Sequence, residues 1–193
     1  RCEQASVAYS TVHERGDPLT SLTALARYHD LMVVGFQGLF EHGVLDEPDD
    51  ELATLVQEGV RPLVAVTDED RPIERVLIAY SGSMESAKTM KRYTQLRLWP
   101  EAKLRVVTFH SDPEAGADRL SQAADYLRAH DFEPEVDCVN APPRDNLLDY
   151  ARQWEADLIV LGNSAKSLLL RKILGETALH IMRDSDRMLF LAQ

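Results

Sequence analysis

Two cysteines in 193 residues, Cys2 and Cys138, are too few for a disulfide framework and suit a reducing cytosol. No apolar run approaches the roughly 18–20 residues that a membrane span requires. No signal-peptide pattern precedes the first apolar segment either. The sequence therefore implies a cytoplasmic protein without a membrane partner. Its first residue is Arg1, not Met, which implies processing or truncation. Positive charge is scarce: 21 Lys and Arg face 32 Asp and Glu, a net charge of −11. That balance argues against nucleic acid as a main partner, although local basic clusters can still hold an anion. Metal-ligand spacing is missing as well. The six histidines (His13, His29, His42, His110, His130, His180) are scattered, and no metal site is expected. No catalytic set emerges; His110, just past a strand, reads as a loop residue. What remains is 45% apolar and 27% charged, the composition of a globular chain able to bury a sizeable core.

In chain order, Val7 to Val12 alternates weakly and reads as a short strand, broken by Gly16-Asp17-Pro18. Asp17 or Thr20 then caps a helix with Leu22, Leu25 and Ala26 on its apolar face. Leu31 to Val34 is a short apolar run closed by Gly35. An acidic loop from Phe40 to Asp50 leads to a helix with Leu52, Leu55 and Val56, and Pro62 to Val66 reads as a strand. Residues 68–72 are polar, contain proline and read as a linker. Beyond them the spacing predicts a strand over 76–80 and a helix after Ser81-Gly82-Ser83, closed by Pro100. A strand over 104–109 and a helix over 118–130 follow, then a strand over 136–139 and a helix over 144–155. The last strands are 158–161 and 188–191. Strands alternating with helices predict an open parallel sheet of five strands with helices on both faces, Rossmann-like.

The two ends of the chain match each other. Gly16-Asp17-Pro18, Leu22, Ala26-Arg27, Asp30-Leu31 and Gly35 align with Ala141-Pro142-Pro143, Leu147, Ala151-Arg152, Asp157-Leu158 and Gly162. After a two-residue gap at the helix end, Arg61-Pro62-Leu63 aligns with Arg187-Met188-Leu189. Residues 1–67 thus read as the back half of a unit that residues 73–193 contain whole. The front half of the first unit would then be missing from this chain or supplied otherwise. The final strands, Leu63 to Val66 and Met188 to Leu191, are expected to pair edge to edge, within the chain or between two copies.

The chemistry is expected at the carboxyl ends of the strands, where strand order reverses. Two glycine turns would meet there. One is Ser81-Gly82-Ser83, where Ser83 caps a helix or offers a hydroxyl. The other runs from Gly162 to Thr177: an apolar strand ends at glycine, and a helix starts after Gly175, which is how α/β folds present backbone N–H groups to phosphate.

At these residues the chain resembles the universal stress protein family. Nucleotide-binding members carry a strand ending Asp-Gly-Ser and, later, Gly-x2-Gly-x9-Gly-[Ser/Thr] after an Asp-Leu-Ile-Val strand. Here Asp157-Leu158-Ile159-Val160-Leu161-Gly162 is followed by Ala165 and, ten residues on, Gly175. The resemblance spans a full unit and the back half of another, and tandem members whose units pair like a dimer fit the repeat. It implies a non-catalytic stress-response or regulatory protein with a crevice for ATP or another adenine nucleotide at Ser81, Gly82, Ser83, Leu161, Gly162, Ala165, Gly175, Glu176 and Thr177. Departures fall on the ligand residues. Ser81 stands where binders have the aspartate that holds the nucleoside. Ala165 replaces the second glycine, and its Cβ restricts the turn. Glu176 replaces the Ser/Thr that bonds phosphate, and its carboxylate would occupy the helix start and repel a phosphate. Thr177 comes one residue late, while Lys166, Arg171 and Lys172 could return positive charge. In the first unit Gly35-Phe36-Gln37-Gly38 is followed by Pro48 among acids, which cannot cradle a triphosphate. The expected site is a remnant with no firm cofactor; an altered but intact ATP sensor is the alternative. Ser81-Gly82-Ser83-Met84-Glu85-Ser86 is also similar to the pyrophosphate loop of adenylating ATP pyrophosphatases, but that family explains neither the repeat nor the late glycines.

Overall fold

The computed structural model describes residues 1–35, 62–67, 71–162, 181 and 185–192. Within them, Asp17 starts the first helix, α1 (Pro18–Ala26): its carboxylate accepts from the Thr20 N–H at 2.7 Å, and Pro18 opens the first turn. Strands β1 (Met32–Gly35) and β2 (Leu63–Val66) follow. The remaining elements are β3 (Arg75–Ala79), α2 (Met84–Leu96), β4 (Lys103–Phe109), α3 (Pro113–Arg128), β5 (Glu135–Val139), α4 (Pro143–Gln153), β6 (Leu158–Gly162) and β7 (Met188–Ala192).

The strands form one seven-stranded sheet in the order β1-β2-β7-β6-β3-β4-β5. Every neighbouring pair is parallel except β2 and β7, which run antiparallel. The five parallel strands expected over 73–193 are present, and β2 and β1 extend them across that junction. The register there is informative. Leu63 faces Leu191, Val64 faces Phe190, and Ala65 faces Leu189. When Leu63 is aligned with Leu189, the two outer pairs exchange and the Val64–Phe190 pair maps onto itself, as around a local two-fold axis. Likewise, Met32 pairs with Leu63 as Ile159 pairs with Leu189, and Gly35 pairs with Val66 as Gly162 pairs with Ala192.

Alternation along the strands divides the core between the two faces. On one face α2 and α3 bring Met90, Tyr93, Leu120, Ala123 and Leu127 against Val76, Ile78, Val106, Val160 and Phe190. Tyr93 meets Phe190 edge-on, with ring centroids 5.6 Å apart. On the other face α1 and α4 bring Ala26, Leu147, Leu148 and Ala151 against Leu63, Leu77, Ile159 and Leu189, where Ile181 is also buried. Asp157, just before β6, accepts backbone N–H groups from Glu74 and Arg75 at 2.9 Å each, which fixes the start of β3 beside β6.

Three sequence expectations need correction. Val7 to Val12 is no strand; it has no sheet partner among the described residues, and Val7, Tyr9 and Val12 are each more than half exposed. Helix α3 begins five residues earlier than the apolar spacing suggests. Asp112 caps it, accepting from the N–H groups of Glu114 and Ala115, and Pro113 fills the first helical position, where a missing N–H costs nothing. Helix α2 ends before Pro100, because Arg97 adopts a left-handed conformation (φ 45°) that leaves the helix. The helix expected around Leu52 to Val56 and most of the linker lie outside the described residues.

Candidate functional site

Chain order places the crevice. From β3 the chain moves to β4 and β5 on one side, whereas β6 and β7 lie on the other. Helices leaving neighbouring strands in opposite directions open a cleft beyond the carboxyl ends of those strands. Ala79 at the end of β3 pairs with Leu161 on β6, so Ser81-Gly82-Ser83 and Leu161-Gly162 stand at the same end of the sheet. Five of the nine expected residues are thus brought together. Ala165, Gly175, Glu176 and Thr177 lie outside the described residues, as do Lys166, Arg171, Lys172 and the second glycine of the early turn, Gly38.

The β3–α2 turn is built from three serines around one glycine. Gly82 has φ +76°, a conformation that a side chain strains. Ser83 then caps α2, its Oγ accepting the Ser86 N–H at 3.2 Å. Ser86 is buried, and its hydroxyl donates back to the Ser83 carbonyl at 2.9 Å. Ser81 Oγ lies 3.1 Å from Ser83 Oγ and 3.2 Å from Ser86 Oγ, and it accepts the Ser83 N–H at 3.3 Å. The three hydroxyls therefore satisfy one another and the cap. Glu85 puts a negative charge in the first turn of α2, where the helix dipole favours it.

Gly162 meets this turn directly. A Cβ at Gly162 would lie 2.4 Å from Ser86 Cα and 2.7 Å from Ser86 N. The end of β6 is thus packed against the backbone of α2, and only glycine fits there. Gly35, which the sequence match sets against it, meets nothing within 4 Å at the same position among the described residues.

One residue of this site has no signal in the sequence. Arg119 of α3 reaches across to the β3–α2 turn and donates from Nη1 to the Ser81 carbonyl at 3.2 Å. Its Cδ and Nε stand 3.0 and 3.1 Å from where a Cβ on Gly82 would be. Its neighbour Leu120 is buried, which places Arg119 beside the inward stripe of α3, but only the tertiary packing brings the two helices together. His110, at the end of β4, is held locally: Nδ1 lies 3.0 Å from the Asp112 nitrogen and 2.8 Å from its carbonyl. No group of three His, Cys, Asp or Glu side chains among the described residues is placed to hold a metal. Nor is any described helix long and apolar enough to cross a membrane.

A second polar cluster lies on the opposite face, at the outer edge of the sheet. Arg105 on β4 bonds Glu135 on β5 through Nε (2.8 Å) and Nη2, reaches Tyr150 Oη at 3.3 Å, and stacks on Trp154 at 4.8 Å. Tyr150 donates to Asp137 at 2.6 Å. Burial, and then this bond to a carboxylate, push the Tyr150 phenol up to about 12. The cluster ties β4, β5 and α4 together and lies away from the crevice.

An open Rossmann-like sheet covered on both faces, with a glycine turn at the reversal of strand order, defines the class of protein. The model of the universal stress protein family matches residues 72–192, and the chain belongs to that family. It is 23% identical over 191 residues to universal stress protein Slr1230 of Synechocystis sp., which covers 95% of this chain. The chain spans 65% of the length of that curated relative. A universal stress protein of Archaeoglobus fulgidus superposes over 99% of this chain and 71% of its own, with a TM-score of 0.72 at 17% identity. A universal stress protein solved in complex with cAMP superposes over 64% of this chain and 98% of its own, with a TM-score of 0.56 at 26% identity.

Proposed function

We propose that this protein is a non-catalytic stress-response or regulatory member of its family, cytoplasmic, whose adenine-nucleotide site is weak or lost. The observation that carries this reading is the closed set of hydrogen bonds at the β3–α2 turn. Ser81, at the position where nucleotide binders have an aspartate, spends its hydroxyl on Ser83 and Ser86. A neutral, internally bonded serine offers a nucleoside far less than a carboxylate. The sequence adds Glu176 at the phosphate end, so both ends of the ligand lose a contact. Residues 1–67 are proposed as the back half of a degenerate unit, residues 68–72 as a linker, and 73–193 as a complete unit. The two-fold register at β2 and β7 supports that division; because both edges of each strand are used within the chain, the proposed self-association through them is the pairing of the two units and not of two copies.

A second reading has one observation in its favour, the relative solved in complex with cAMP. On it, the crevice is an altered but working nucleotide sensor. Equilibrium binding of ATP with Mg²⁺ separates the two. The first reading expects no saturation in the micromolar range. A Kd below about 100 μM, on the order of −5.5 kcal/mol, would refute it. Ser81→Asp and Glu176→Ser together, made with Arg119→Ala so that the guanidinium does not pair with the new carboxylate, should create or strengthen binding; no change would mean that the crevice is wrongly assigned.

A further inference from the structure

The bareness of Gly82 invites a ligand, but its open side is already taken. Three atoms of one side chain, Arg119 Cδ, Nε and Cγ, stand 3.0, 3.1 and 3.5 Å from the position a Cβ would have. The same arginine holds the Ser81 carbonyl through Nη1. Among the described residues Arg119 makes no ion pair, although it comes from the half of α3 that carries Glu114 and Asp118. It is half-buried, while its neighbours Asp118 and Ser121 are exposed. A long cationic side chain that leaves water to lie over a glycine, bonded to a neutral carbonyl, fills space there; it is not tethered by charge.

We propose that Arg119 is a specificity-determining residue that acts as an internal plug of the crevice, excluding ligands from the Ser81–Gly82 backbone by bulk. It does so at two points of this turn. The carbonyl of Ser81 is bonded already, and the approach over Gly82 is covered by the arginine stem. The plug rests on the reading that adenine nucleotides are the ligand class of this crevice. It also predicts why restoring an aspartate would fail by itself. A carboxylate introduced at position 81 would stand beside the guanidinium and be drawn into an ion pair with it. The block would become firmer.

The test is equilibrium binding of two probes, ATP with Mg²⁺ and uncharged adenosine, to the full chain. The proteins are wild type, Arg119→Ala, Arg119→Gln, Ser81→Asp, and Ser81→Asp with Arg119→Ala. Arg119→Ala should tighten both probes by at least about tenfold. Arg119→Gln, which keeps carbon over Gly82 and removes the charge, should stay near wild type. Ser81→Asp should gain nothing alone and exceed every other protein when combined with Arg119→Ala. Unchanged binding by Arg119→Ala overturns the plug, as does ATP weakened with adenosine unaffected, which would make Arg119 a phosphate contact. Arg119→Gln matching Arg119→Ala also overturns it, because charge and not bulk would then be responsible. Thermal melts of each variant separate a lost fold from a lost plug. The reading of a weak site fails on a different result, a wild-type Kd in the micromolar range, so the two ideas fall separately.

Discussion

Gly162→Ala and Gly35→Ala form a matched experiment, because the two glycines end corresponding strands and pair with corresponding residues. A methyl on Gly162 would lie 2.4 Å from Ser86 Cα, where two carbons settle about 3.5–4.0 Å apart. The obstacles are backbone atoms of a helix and cannot swing aside. The first turn of α2 must therefore recede by about 1 Å. Overpacking of this kind costs about 1–3 kcal/mol. Displacing the Ser83 cap adds about 1 kcal/mol. We expect a loss of about 3 kcal/mol, which for a chain of this size lowers Tm by roughly 6–12 °C. A methyl on Gly35 meets nothing within 4 Å among the described residues. Gly35→Ala should stay within about 0.5 kcal/mol of the parent. Urea and thermal denaturation of the two variants side by side provide the assay. If both melt together, whether with the parent or below it, then α2 does not press on β6 as described. The assignment of Gly162 to packing would then be wrong.

Two further outcomes follow from contacts elsewhere. Gly116 lies in the buried stripe of α3, where a Cβ would come 2.3 Å from Cys138 Sγ. Gly116→Ala gains about 1 kcal/mol of helix propensity but should still lose about 1–2 kcal/mol net. Adding Cys138→Ala should recover most of the loss, with a coupling of at least about 1 kcal/mol, and additive denaturation energies would refute the contact. Tyr150 titrates near 12 in the fold against 10.0 for the free phenol. Its neutral form is the one favoured in the fold. The stability linked to it is complete below about pH 10 and is lost as pH rises through about 12. Ultraviolet titration of Tyr150→Phe should lose a phenol that titrates near 12, while the more deeply buried Tyr93 stays higher still; loss of one near pH 10 would contradict the buried bond to Asp137.

Much of the architecture was legible along the chain. The alternation of apolar runs and helical spacing is local, so β3, β4, β5, β6 and β7 all fall within a residue or two of their expected bounds. Capping chemistry is local too: Asp17 and Ser83 hold their helices as their positions imply. The match expected between the two ends sets Asp30 against Asp157 and Gly35 against Gly162; Gly35 pairs with Val66 on β2, and Gly162 with Ala192 on β7. Where local signals competed, the shorter-range one won. Asp112-Pro113 starts α3 ahead of its apolar stripe, and Arg97 ends α2 ahead of proline.

By itself the sequence determined the alternating elements and the residue types at Ser81, Ala165 and Glu176, because each is a matter of residue type and spacing. Only the tertiary structure decided how the free faces of the glycines are used. Gly162 and Ser86 are distant in sequence and touch because α2 crosses over β6. Arg119 covers Gly82 because α2 and α3 pack side by side on one face of the sheet. A glycine in a sequence announces that something comes close. Whether that is a ligand, a helix or an arginine depends on which distant segments the packed sheet brings to it.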